Sequence, residues 1–131
     1  MYMLDTNICI YLIKRKNPEL ARRIIDIPIE DIFVSSITVS ELEYGVAKST
    51  QIEKNHQSLL KFLSTVTVVD YDVLASKEYG LIRSDLEKRG EPIGQLDMLI
   101  AAHAKSRNAI IITNNEREFI KVTGLSVENW T

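Results

Sequence analysis

GEPIGQLDMLIAAHAKSRNAIIITNNEREF (90–119) is the stretch that decides the fold. Gln95 to about Arg107 reads as a helix, and AIIIT (109–113) as the most apolar strand of the chain. NNEREF then makes a turn or short helix, and LSV (125–127) a last short strand leading to Trp130. Working back from Gly90, a C-terminal helix signal, a long helix extends to a cap at Asp70 or Asp72, preceded by the strand VTVV (66–69). Ile52–Leu63 forms an amphipathic helix, and IFVSSI (32–37) is β-branched and aromatic, as strands are. Thr38 with Glu41 three residues on has capping-box spacing for the helix that follows. Nearer the start, YMLD (2–5) is a short buried strand, Thr6–Lys14 a helix, and Pro18 opens a second helix through ELARRII. Strands alternating with helices imply a mainly parallel central sheet covered on both faces by helices, a three-layer α/β/α sandwich with right-handed crossovers.

The 131 residues suit one domain spanning 1–131, with neither repeat nor linker. At 45% hydrophobic and 26% charged, the composition is that of a soluble globular protein. Cys9 is the only cysteine, so no intramolecular disulfide forms, which suits a reducing cytoplasm. Asp5 interrupts the first apolar run and the basic residues follow it, the reverse of a signal peptide. No run approaches the roughly 18 apolar residues of a membrane helix. A net charge of −2 is unusual for a protein handling nucleic acid, so any such affinity rests on a local basic patch or on bound metal.

Ligands of parallel sheets sit beyond the carboxyl ends of the strands. That rule points to Asp5, ending the first strand, and to Thr113–Glu118, following AIIIT. Glu41 and Asp97 each fall in the first turn of a helix expected near the same edge. Four carboxylates from four separated segments would make a site for Mg²⁺ or Mn²⁺, hard cations that take oxygen ligands. Like charges about 4 Å apart cost about 4 kcal/mol per pair at an effective dielectric near 20, so a cation would hold such a set together. Each acid alone has a simpler reading. Asp5 could cap a helix, Glu41 complete a capping box, Asp97 complement a helix dipole, and Glu118 stand as a solvated charge.

These segments together resemble the PIN-domain ribonucleases, and within them the VapC toxins of bacterial toxin–antitoxin pairs. LDTN (4–7), SITVSELEYG (36–45), GEPIGQLDMLIAAHA (90–104), IIITNNEREF (110–119) and GLSVENW (124–130) carry the resemblance across almost the whole chain. It implies a PIN-like fold and a metal-dependent endoribonuclease that leaves a 5′-phosphate and a 3′-hydroxyl. Asp5 and Asp97 would be the principal metal ligands, with Glu41 and Glu118 completing the site or orienting water. Many relatives have an aspartate where this chain has Asn115, leaving Glu118 or Asn115 to complete the set. Thr6, Asn7, Thr113 and Asn115 would support the ligands, and Arg83 resembles an arginine that could meet a phosphate. The implied partners are a VapB-like antitoxin, operator DNA reached through it, an RNA such as a transfer RNA, and a second copy in a homodimer, with no membrane. The competing reading is a non-catalytic partner in an antitoxin–DNA complex.

Other features read as structural. Cys9 belongs to the core, Trp130 docks the tail, and His56 and His103, which lack metal-ligand spacing, are either structural or exposed. KRK (14–16) with Arg22 and Arg23 is the densest basic region, more simply a solvated face than a phosphate rim. A receiver-like phosphoacceptor would want a lysine after a late strand, where this chain has Thr113–Asn114.

Overall fold

The computed structural model describes residues 1–131. β1 (Tyr2–Leu4) leads into α1 (Thr6–Lys14) and α2 (Pro18–Ile25), and a 3-10 turn at Ile29–Asp31 precedes β2 (Ile32–Ser35). α3 (Ser36–Ala47) and α4 (Ile52–Leu63) follow, then β3 (Thr67–Val69) and the long α5 (Val73–Arg89). α6 (Gln95–Ser106), β4 (Ile110–Ile112), the short α7 (Glu116–Phe119) and β5 (Ser126–Glu128) complete the chain. No helix is long and apolar enough to cross a membrane.

The sheet order is β3-β2-β1-β4-β5, and every pairing is parallel. The chain therefore builds outward from β1 on one side and, after β3, returns to build outward on the other. That reversal places a topological switch point between β1 and β4, where a crevice opens beyond the strand ends. Leu4 pairs with Ile112, so the two strands end in register and deliver Asp5 and Thr113 side by side.

Strand alternation divides the interior into two layers. Met3 and Ile111 point into one, among Ile82 and Leu86 of α5, Ile100 of α6 and Phe119 of α7. Leu4 and Ile112 point into the other, among Ile8 and Cys9 of α1, Leu20 of α2, Leu42 of α3 and Leu59 of α4. Burying each such aliphatic side chain contributes about 1.5–3 kcal/mol, so the strand ends behind Asp5 and Thr113 are anchored from both faces. Trp130 docks the tail, its ring 5.1 Å from that of Tyr2 and its Nε1–H donated to Glu128 Oε1 at 2.9 Å.

Sequence and structure differ at a few boundaries. β2 stops at Ser35 rather than Ile37, because the Ser35 hydroxyl accepts from the Ile37 N–H at 3.1 Å and starts α3 there. Thr38 is thus no cap and sits fully buried inside α3. Asp72, not Asp70, caps α5, accepting from the Ala75 N–H at 3.0 Å. Gly90 ends that helix in the left-handed region at φ 68°, which favours glycine. β5 lies one residue beyond LSV, at Ser126–Glu128.

Candidate active site

Asp5 is 3% exposed, which would be costly for a carboxylate without partners. It has two. Thr6 donates its backbone N–H to Oδ1 at 2.7 Å, and the fully buried Thr113 donates its hydroxyl to Oδ2 at 2.8 Å. Thr113 Oγ1 in turn accepts from the Asn115 N–H at 2.9 Å, which commits its single proton to Asp5. Burial is the largest influence on the Asp5 carboxyl and raises its pKa. The two hydrogen bonds pull the other way, and the charge of Glu41 adds to the rise.

Glu41 comes from α3, held over the same edge by the N-terminal start at Ser35. Its Oε1 accepts from Thr6 Oγ1 at 2.6 Å, and Thr38 Oγ1 lies 3.3 Å from the same hydroxyl. Thr6 therefore touches two acids at once, Asp5 through its backbone and Glu41 through its side chain. Thr38 belongs to this cluster, although its sequence setting suggested a cap. One turn before Glu41 on α3, it shares that residue's face, a relation the helical period exposes.

Asp97 projects from the first turn of α6, whose N-cap is Gly94. A Cβ at position 94 would stand 3.5 Å from Asp97 Oδ2, so the glycine leaves the carboxylate's flank open. Desolvation raises the Asp97 pKa most, followed by the charges of Asp5, Glu41 and Glu118, pushing it up to about 6. Three carboxylates from three other segments thus bear on this one group. Glu118, half-buried on α7, has Lys121 Nζ 3.5 Å from its Oε2, one local cation against the negative charge.

The supporting residues divide. Thr6 and Thr113 hold carboxylates directly. Asn115 contributes through its backbone, and its side chain makes no capping hydrogen bond. Asn7 is exposed and holds none of the acids. Arg83 is engaged on its own helix, Nη1 donating to Tyr79 Oη at 3.0 Å and Nε lying 3.5 Å from Glu87 Oε2. Cys9 is fully buried, its thiol pushed up by burial first and then by the charges of Asp5 and Glu41, so it is inert packing beneath the site. Among the basic residues near the N-terminus, Arg22 pairs with Glu19 at 3.1 Å and Arg23 lies over the Trp130 ring at 4.7 Å.

The donor set suits a hard divalent cation. It consists of carboxylate oxygens, with Asp97 free of side-chain hydrogen bonds and Asp5 retaining lone pairs beyond the two it uses. No three His, Cys, Asp or Glu side chains are already drawn together as a ligand group. The carboxylates act on one another through space, the charges of Asp5, Glu41 and Glu118 all bearing on Asp97.

Comparison with known proteins agrees with this architecture. The PIN domain family model matches residues 2–125. A tRNA(fMet)-specific endonuclease VapC of Shigella flexneri is 45% identical over 130 residues, covering 99% of this chain and 98% of that protein. Ribonuclease VapC2 of Haemophilus influenzae is 46% identical over 129 residues, covering 98% and 97% respectively. Among solved structures, DNA-bound VapBC from Salmonella typhimurium superposes with a TM-score of 0.94 at 41% identity, covering 99% of this chain and 98% of the matched one. The parallel sheet, the acid-bearing edge and relatives matched almost end to end lead to one conclusion: the chain belongs to the PIN-domain family, among its VapC ribonucleases.

Proposed function

We propose that Asp5, Glu41, Asp97 and Glu118 form one site for Mg²⁺ or Mn²⁺, at which this toxin ribonuclease hydrolyses a transfer RNA. The observation that carries the reading is geometric: Thr6 joins Asp5 and Glu41, and Thr113 holds Asp5. Asp97 lies in the first turn of α6, close enough that, after burial, the charges of Asp5, Glu41 and Glu118 help push its carboxyl up to about 6. One buried and three half-buried acids under mutual repulsion are a poor structural feature and a good cation site. When bound, the cation lowers the pKa of an attacking water and offsets the charge that gathers on the phosphate.

The chain's residues have separable tasks. Thr6 and Thr113 lock Asp5, so it presents fixed oxygens. Asp97 has no side-chain hydrogen bond to break and is free to turn toward a ligand. Glu41 is held by one oxygen and keeps the other for orienting water or completing the ligand set. Lys121, beside Glu118, brings a cationic group to the rim, where it suits a phosphate oxygen. The family resemblance implies hydrolysis that leaves a 5′-phosphate and a 3′-hydroxyl.

Transfer RNA is the substrate to test first because the Shigella flexneri relative is named for one, and exposed single-stranded loops are what proteins read in RNA. By likeness to the DNA-bound VapBC of Salmonella typhimurium and the promoter-bound VapBC2 of Rickettsia felis, the chain pairs with a VapB-like antitoxin and reaches operator DNA through it. The family resemblance adds a homodimer acting in the cytoplasm. Residues 1–131 act as one PIN domain. The test is incubation of antitoxin-free protein with total transfer RNA in Mg²⁺, Mn²⁺ or chelator. Discrete fragments bearing 5′-phosphates, produced only with cation, are the expected result; equal cutting in chelator would overturn the metal reading.

A further inference from the structure

His103 has a part in this site that its sequence setting does not suggest. It lies on α6, is fully buried, and its Nδ1 is 2.7 Å from Ser35 Oγ. Ser35 ends β2 and caps α3, its hydroxyl accepting from the Ile37 N–H, so its one proton is free for the imidazole. Burial first, then the Arg107 charge, hold His103 below its ordinary range, which favours the neutral ring in its pairing with the Ser35 hydroxyl. The neighbouring link is made by Ser36, whose hydroxyl accepts from the Tyr71 N–H at 3.0 Å, while the Tyr71 ring meets His103 edge-on at 5.5 Å.

The positions of the acids relative to this bond are telling. Glu41 stands six residues after Ser35 on α3, and Asp97 six residues before His103 on α6. At 1.5 Å per residue each acid is about 9 Å along its helix from the bond. The two helices touch, and the charge of Glu41 bears on Asp97. α3 and α6 therefore pass in opposite directions, joined at one point by the Ser35–His103 bond and bearing the repelling acids at the other.

We propose that the Ser35–His103 hydrogen bond is a positioning clamp that sets the spacing of Glu41 and Asp97, and through it the divalent-cation affinity of the site. The inference rests on the metal reading above. Glu41 and Asp97 repel, so the helices that carry them tend to part. A buried bond one and a half turns away resists that motion without touching the ligands. Partners that bond a ligand directly are worth about 10–100-fold in metal affinity, and a clamp one step further out acts at the lower end of that range.

The test is calorimetric titration of Mn²⁺ into folded, antitoxin-free protein, with melting followed in parallel. His103→Leu breaks the clamp and is expected to weaken Mn²⁺ binding about tenfold. His103→Asn can present an amide oxygen where Nδ1 lies and is expected to restore most of the affinity. Ser35→Ala removes the bond from the other side together with the α3 cap, so it should weaken binding at least as much as His103→Leu, which keeps the comparison open if the leucine protein does not fold. Leu86→Ala, a core truncation on α5, controls for lost stability and should bind Mn²⁺ nearly as the unaltered protein does. Clamp variants that bind like the unaltered protein would overturn the proposal, as would a Leu86→Ala protein weakened to the same degree. Failure of the unaltered protein itself to bind Mn²⁺ would instead overturn the metal site, and the clamp with it.

Discussion

Replacing Asp97 by asparagine should stabilise the cation-free protein while disabling the site. The folded-state carboxyl is raised from 3.8 to about 6, by burial first and then by Asp5, Glu41 and Glu118. A shift of about two units corresponds to at most about 3 kcal/mol at 1.36 kcal/mol per unit. Asp97 is only half-buried, and solvent screening reduces that to about 1–2 kcal/mol. Removing a negative charge from the first turn of α6 forfeits about 0.3–1 kcal/mol of helix-dipole interaction, leaving a net gain of about 1 kcal/mol. Because the folded pKa is raised, the native state is favoured while Asp97 is protonated. That favour is complete below 3.8 and is lost as the pH rises through about 6. In chelator at pH 7.5 the asparagine protein should melt about 3–5 °C higher for a chain of this size, and the gap should close near pH 4. His103, depressed by burial, tilts stability the opposite way as pH falls, but both proteins carry it and the difference cancels. Added Mn²⁺ should reverse the order, since only the aspartate form gains stability by binding. An asparagine protein that melts at or below the unaltered one in chelator at pH 7.5 would refute the charge-repulsion account.

Three other outcomes follow from the geometry. Thr113→Val removes the hydroxyl that holds Asp5 Oδ2 and accepts from the Asn115 N–H; cleavage should fall about 10–100-fold, and activity within twofold of normal would show Asp5 is held without it. Thr6→Val frees Glu41 Oε1 but leaves the backbone bond to Asp5, so it should reduce kcat while melting changes by about 1 kcal/mol, read by single-turnover cleavage and thermal denaturation. Arg83→Ala should leave RNA KM within about threefold, because the guanidinium is engaged by Tyr79 and Glu87; a tenfold rise would establish a phosphate contact.

The acids were legible because local pattern locates strand ends and helix starts, and the switch-point rule says which ends matter. Asp5 stands at the end of β1, Asp97 lies in the first turn of α6 and Glu118 follows β4, as that reading put them. Glu41 falls in the second turn of α3 rather than its first, because the helix starts at Ser36. The start of α3 was less legible. Ser35, Ser36 and Thr38 are all cap-forming residue types, and local sequence does not choose among them. The choice of Ser35 accompanies contacts distant in sequence, Ser35 with His103 and Ser36 with Tyr71. The same limit hid Thr38 in the carboxylate cluster and His103 in the core. Asn7 misled through its neighbours: Asp5 and Thr6 turn inward at the start of α1, while the next position faces solvent. The pairing of Arg83 with Tyr79 and Glu87 follows from i±4 spacing and could have been anticipated.

The most direct test of the central claim is cleavage by four single variants, Asp5→Asn, Glu41→Gln, Asp97→Asn and Glu118→Gln, compared at equal protein and saturating Mg²⁺. A shared carboxylate site predicts that each stays folded, that Asp5→Asn and Asp97→Asn abolish the metal-dependent fragments, and that Glu41→Gln and Glu118→Gln slow them severely. An Asp97→Asn protein that cuts RNA at the unaltered rate would contradict the account.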